Sequence, residues 1–270
     1  MRIQRIGMAG SLAYEIHGQT PDCQAVYAKV LEVGKEFDLH ELGRHAYWNT
    51  HTENGFPQGS IHFPMAYEQD AAYWKHALET NDVAVAIAAS SARLTGSVGP
   101  NLETRFVNPY EVGWERGISY AHDFYGKEAL EQIRDSGSYR RVVTLEWDTE
   151  DVLDVWRSGL TDEEPYYPMD DAEDFDPTGT LEYHADKVLA GGKVVGISSG
   201  RIHSWYYQRM LSLGFVEPEY AAESTELVVL WGNPGTRQKE IRAKIARYPY
   251  MDEDRNEDVD VMEKIPRRFA

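Results

Sequence analysis

The chain has 270 residues and a formal net charge of −18, with 42% hydrophobic and 12% aromatic residues. Such a composition is globular rather than disordered, and its acidity argues against nucleic acid and anionic membrane surfaces as partners, because like charges repel. No apolar stretch approaches the ~18 residues that span a bilayer, residues 1–10 lack a signal-peptide layout, and the single cysteine, Cys23, permits no internal disulfide, so a cytoplasmic location is expected.

Residues 1–6 alternate loosely and predict a strand. Gly7 and Gly10 bracket a turn, and residues 12–17 predict a second strand. Pro21 opens a helix with a stripe of Val26, Val30, Val33 and Phe37, widened by Tyr27 and Leu31 and ending near Asp38. Cys23 lies on that stripe and reads as a buried core thiol. Residues 42–56 are dense in functional groups (His45, Tyr47, Trp48, His51 and Glu53 among them) without a clean period, and read as a pocket wall rather than a regular element. A short helix over 67–79 follows Pro64, residues 83–89 are small and apolar, residues 90–100 look loop-like, and residues 127–134 are helical after the Phe124-Tyr125-Gly126 turn.

After Ser136 the texture changes. Residues 141–147 predict a strand, and 149–158 a helix with Asp148 or Thr149 as its N-cap. Residues 161–177 are acidic and read as a solvated loop. Ala190-Gly191-Gly192-Lys193 marks a hairpin, and 205–216, 226–231 and 240–247 predict further strands. Closely spaced strands with glycine turns suggest a small barrel or sandwich. The expected organisation is therefore α+β, with a first unit over 1–136, a β-barrel over 137–250 and a charged tail over 251–270.

Several motifs fail on chemistry. Asp252, Asp254, Asn256 and Asp258 space like a calcium loop, but Glu257 stands where its glycine belongs. The histidines lack zinc-ligand spacing, so no metal is expected. The glycines at 191, 192, 196 and 200 have no Gly-Lys-Ser/Thr ending, and Ser198-Ser199-Gly200 is not a nucleophile elbow.

Five segments occur in an ordered set: Gly10-Ser-Leu-Ala-Tyr-Glu15-Ile-His-Gly18, Leu42-Gly-Arg-His-Ala-Tyr47, Asn108-Pro-Tyr-Glu111-Val-Gly113, His122-Asp-Phe-Tyr-Gly126-Lys-Glu-Ala-Leu130 and Gly196-Ile-Ser-Ser-Gly200. Together they resemble the C-terminal half of the glycine-cleavage T-protein (aminomethyltransferase) family. The Ala46-Tyr47, Asn108-to-Glu111 and Val228-to-Gly232 segments look most like the vanillate and syringate O-demethylases. The resemblance implies the second half of a T-protein-like folate-binding fold followed by a C-terminal β-barrel. It also implies tetrahydrofolate as cofactor, and transfer of a methyl group from a small aromatic methoxy substrate to N5 of the folate.

On that resemblance Glu15 is the pterin anchor, since a carboxylate accepts two parallel N–H bonds. The residues alone favour an exposed strand-end glutamate instead. Tyr47 matches a catalytic tyrosine able to pass a proton to the leaving oxygen, or is a core tyrosine. The family arginine falls two residues before Tyr47, where this chain has His45, with Arg44 one residue earlier, so either is a candidate folate contact. Trp114 falls near a folate-packing aromatic, or is core. A family member also has an N-terminal half of comparable size. The resemblance therefore implies a separate chain supplying it, a truncation or a homo-oligomer, with a non-catalytic folate-binding subunit as the alternative to a methyltransferase.

Overall fold

The computed structural model describes residues 1–8, 13–59, 61–66, 70–80, 93–169 and 182–252, apart from the side chains of Arg44, Ala77 and Leu78. The chain opens on an antiparallel pair, β1 (Arg2–Arg5) and β2 (Tyr14–His17), with Gln4 opposite Glu15. A 3-10 turn over Thr20–Asp22 contains Pro21 and leads into α1 (Cys23–Gly34). The helix tightens over Lys35–Phe37 and stops at Asp38, which takes a left-handed φ of 54°. Among the described residues, little covers the stripe on α1: Tyr27, Val30 and Phe37 are exposed, and so is Cys23, contrary to the core thiol expected of it.

Next come α2 (Arg44–Glu53) and α3 (Ala71–Glu79). The latter starts where the Asp70 carboxylate accepts the Ala72 and Tyr73 N–H groups, both at 2.9 Å. The segment containing α2 was expected to be irregular. It is a regular helix that lacks an apolar stripe because its buried face is polar: His51, Thr52 and Glu53 are all buried. The 83–89 segment and the 253–270 part of the tail lie outside the described residues.

The short strand β3 (Arg93–Thr95) precedes α4 (Lys127–Ser136), which runs between Gly126 and Gly137, both at positive φ. Strand β4 (Arg141–Trp147) and α5 (Thr149–Ser158) follow, with Asp148 capping α5 through the Asp151 N–H at 3.1 Å. Then come β5 (Glu182–Ala190), β6 (Lys193–Ser204), β7 (Arg209–Val216), β8 (Glu226–Trp231) and β9 (Lys239–Ala246). Gly191 and Gly192, at φ 55° and 82°, make the tight β5–β6 turn that the sequence predicts.

Six strands in the order β5-β6-β7-β4-β9-β8 close into a barrel when β8 pairs back onto β5, and β3 adds parallel to β5. Closure removes the unpaired edge that an open sheet of these strands would present. The core alternates along the strands. Val143, Leu145 and Trp147 on β4 meet Val188, Val229, Trp231, Ile241 and Ile245.

A second, smaller apolar cluster joins the preceding segment to the barrel: Val112 packs with Ile197 and Phe215. The Asn108-to-Gly113 motif builds this joint. The Asn108 side chain accepts the Tyr110 and Glu111 N–H groups at 2.9 and 3.1 Å, and the Glu111 carboxylate accepts the Asn108 N–H at 3.1 Å. Arg140 grips the same carboxylate through two nitrogens at 2.7 and 3.1 Å and also donates to the Phe106 carbonyl at 2.6 Å. Glu111 is buried, so the bidentate pair is what makes its charge tolerable there.

The seam between α2 and the barrel is polar. Thr52 donates to the Gly200 carbonyl at 2.9 Å, Ser199 donates to the His62 carbonyl at 2.6 Å, and Ser204 donates to the Glu53 carboxylate at 2.7 Å. The Gln58 N–H donates to His62 Nδ1 at 3.0 Å, so the ring carries its proton on Nε2 and donates it to the Thr52 hydroxyl at 3.0 Å. Gly200 takes φ 60° at a β-bulge and lies against the His62 ring, which an added Cβ would overlap.

Two outcomes follow. Gly200→Ala should lose on the order of 2–3 kcal/mol in urea denaturation, from a left-handed backbone and a clash with a buried ring. Burial, reinforced by His51, pushes the His62 imidazole down to about 3. The unfolded chain binds that proton below pH ~6.5 while the folded one does not, so stability should fall as pH drops from about 6.5 toward 3. Denaturation midpoints at pH 7 and 5 should show the loss, and His62→Gln should shrink the difference between them.

Candidate functional site

Helix α2 presents Tyr47 and His51 one turn apart, so the two side chains share a face. Their rings meet edge to face with centroids 4.3 Å apart. Phe56, just beyond the helix, packs on His51 at 5.7 Å, and Trp114 packs on Phe56 at 5.5 Å. The result is a continuous aromatic wall running Tyr47, His51, Phe56, Trp114. Its outer member is open to solvent: Trp114 is 42% exposed and is therefore not a core residue. The Asn108-to-Gly113 turn delivers it, since the Trp114 N–H closes onto the Pro109 carbonyl at 2.9 Å.

Glu15 sits on β2 with an exposed carboxylate that bonds the His17 ring at 3.1 Å. Burial and the charge of Glu15 together hold the Tyr47 phenol above its ordinary value. The hairpin carboxylate is thus close enough to oppose ionisation of the helix phenol. Of the sequence candidates, Tyr47 and Trp114 belong to one run of ring contacts, and Glu15 acts on Tyr47 through its charge. His45 is exposed and stacks on Trp48, with ring centroids 6.1 Å apart. Arg44 is the first residue of α2, and its side chain lies outside the described residues.

His51 was not singled out from the sequence, yet it occupies the centre of the wall. Its Nδ1 donates to the Tyr47 carbonyl at 2.7 Å, an i to i−4 bond that reading residues 42–56 as a helix would have suggested. That bond leaves Nε2 as a bare acceptor. The residue is fully buried, and Nε2 has no hydrogen-bond partner among the described residues. Burial lowers the imidazole from its ordinary value, against the opposing effect of its bond to Tyr47. His51 is accordingly a neutral ring near pH 7.

On the other side of the hairpin, Ile16, His17, Ala25, Val26, Tyr27 and Val30 help to line a groove of about 950 Å³ between β2 and α1. Among the described residues no cluster of His, Cys, Asp and Glu could hold a metal ion, and no helix is long and apolar enough to cross a membrane.

No family model matches the chain. It is 44% identical to a sesamin methylene transferase of a Sinomonas strain, over 99% of this chain and 60% of that protein. It is 32% identical to a syringate O-demethylase of a Sphingobium strain, over 91% of this chain and 53% of that protein. The chain thus spans little more than half the length of these curated relatives. Among solved structures, the glycine cleavage aminomethyltransferase T of Bartonella henselae aligns over 92% of this chain and 49% of its own, with a TM-score of 0.53 at 13% identity. At that identity the likeness speaks for the fold alone.

The electrostatic link between the hairpin and α2 is measurable. In Glu15→Gln the Tyr47 phenol should titrate lower than in the parent protein, yet still above an ordinary tyrosine, because burial remains. A pH titration of the Tyr47 ring by NMR reads this directly, and an unchanged midpoint would separate the two residues.

Proposed function

We propose that the chain, similar along its length to a sesamin methylene transferase and a syringate O-demethylase, is a member of the glycine-cleavage T-protein (aminomethyltransferase-like) family and forms one wall of a tetrahydrofolate-dependent site that removes a one-carbon unit from an aromatic ether. The observation that carries this reading is the pairing of Glu15 with Tyr47 beside an aromatic wall open at Trp114. A half-exposed carboxylate suits the parallel N–H donors of a pterin, and the wall suits a flat ring. Both features fit a folate.

Tetrahydrofolate, when bound, supplies the N5 atom that receives the one-carbon unit. The chain's own residues do the rest. Glu15 orients the pterin edge. Trp114, with Phe56 behind it, offers a ring face. His45 and Arg44, at the start of α2, are the candidate contacts for a carboxylate of folate or substrate. Tyr47 keeps its proton at physiological pH because burial and Glu15 both resist its loss. It is therefore a donor poised for the departing oxygen, which leaves as a phenol rather than a phenolate.

The relatives' names favour an oxygen-bound methyl or methylene as the unit moved. A small aromatic methoxy compound is the substrate class proposed here. We further propose that the groove between β2 and α1 receives polypeptide equivalent to the unmatched portion of the relatives, whether on this chain or another. The apolar stripe of α1 would then be covered. On this reading residues 1–136 and 137–250 are two units, and the site lies on the first, braced by the barrel.

Calorimetric titration with tetrahydrofolate, with and without a chain carrying the unmatched portion, tests the proposal. Binding is expected, and Glu15→Gln should weaken it by about tenfold, the usual size of a lost charged hydrogen bond. In the assembled enzyme, Tyr47→Phe should slow demethylation of a methoxyarene by about 10²-fold or more with little change in folate affinity. Absence of binding in both preparations would overturn the reading.

A further inference from the structure

His51 combines three features that a packing residue does not require. Its tautomer is fixed, because Nδ1 donates to the Tyr47 carbonyl at 2.7 Å. Its ring is wedged between Tyr47 and Phe56, at 4.3 and 5.7 Å between centroids. Its Nε2 lone pair is buried with no partner among the described residues. A buried acceptor left unpaired is costly, so such atoms are normally satisfied by something that the site brings in.

The nearby donors are already engaged. The Thr52 hydroxyl donates to the Gly200 carbonyl, and the His62 ring donates to Thr52. The Tyr47 ring, which meets the His51 ring edge to face, is only partly buried. Side chains that keep some exposure change rotamer quickly, so a ligand that displaces the Tyr47 ring would approach the His51 ring.

We propose that His51 Nε2 accepts a hydrogen bond from a ring hydroxyl of the aromatic ligand, making His51 a specificity-determining residue beside Tyr47. This rests on the aromatic-ether reading above and extends it. A methoxy oxygen only accepts hydrogen bonds, whereas a ring hydroxyl also donates. A bare nitrogen at the wall therefore favours rings that carry a free hydroxyl over rings that are fully etherified. A neutral imidazole suits this role, because a protonated ring would offer a donor where an acceptor is needed.

The test uses the chain, with and without a chain carrying the unmatched portion of the relatives, together with tetrahydrofolate and two probes, guaiacol (2-methoxyphenol) and 1,2-dimethoxybenzene. Titrations are followed by calorimetry and by the ¹⁵N resonance of His51 Nε2. The free protein should show a non-hydrogen-bonded Nε2. Guaiacol should shift that signal and bind about tenfold more tightly than the diether. His51→Phe should bring the two affinities together, and His51→Gln, which restores an acceptor, should recover the preference. An Nε2 already hydrogen-bonded in the free protein would mean an internal water and would overturn the inference. So would guaiacol binding that leaves the signal unmoved. If neither probe binds, the aromatic-ether reading falls and takes the inference with it. Because the resonance is read on the parent protein, the outcome does not depend on whether a variant folds.

Discussion

Helix α2 is seated on the barrel by hydrogen bonds buried away from water. Thr52 reaches the bulge carbonyl of Gly200, His62 holds Thr52, Ser199 holds the His62 carbonyl, and Ser204 holds Glu53. Removing one partner from such a set strands the other in a medium that cannot solvate it, so the set tolerates only one seating of the helix. An apolar seam would have allowed sliding by fractions of a turn. The polar seam fixes the rotation of α2 about its axis, and that rotation decides where Tyr47 and His51 point. Site geometry here is therefore a consequence of the Gly196-to-Gly200 segment as much as of the helix that bears the functional groups.

The barrel was legible in the sequence because its signals are local. Strand β4, helix α5 with its Asp148 cap, the Gly191-Gly192 turn and strand β8 fall where periodicity and capping chemistry put them. Residues 44–53 were not legible as a helix, for the reason that makes them useful. Their buried face is His51, Thr52 and Glu53, which bond across to another element, and a hydrophobic-periodicity argument cannot see a polar interface. Cys23 misled in the opposite direction. It lies on a true amphipathic stripe, but the described residues leave that stripe open, so a core position was inferred from a pattern whose partner surface is elsewhere.

The candidate residues were named from the sequence, but the connections between them were not. Glu15, Tyr47 and Trp114 came from resemblance. What joins them is the His51–Phe56 bridge and the reach of the Glu15 charge to the phenol, neither of which has a sequence signature. The family motif Asn108-to-Gly113 acquires a physical meaning in the same way. Its asparagine and glutamate close a reciprocal turn, Arg140 locks the glutamate, and the next residue out of the turn is Trp114. The motif is a hydrogen-bonded bracket from which the Trp114 ring projects.

The electrostatics of the wall run in one direction. Net charge is −18, the Glu15 charge raises the Tyr47 phenol, and His51 and His62 are both held neutral by burial. Burial and the Glu15 charge both disfavour an anion at the phenol, so Tyr47 stays protonated near neutral pH. A reaction that generates a phenolate would meet an unfavourable field unless the oxygen is protonated as it departs. The same field leaves a neutral hydroxylated ring undisturbed. On the proposed reaction, such a field leaves alignment of the donor carbon, rather than charge stabilisation by these groups, as the contribution this wall would make.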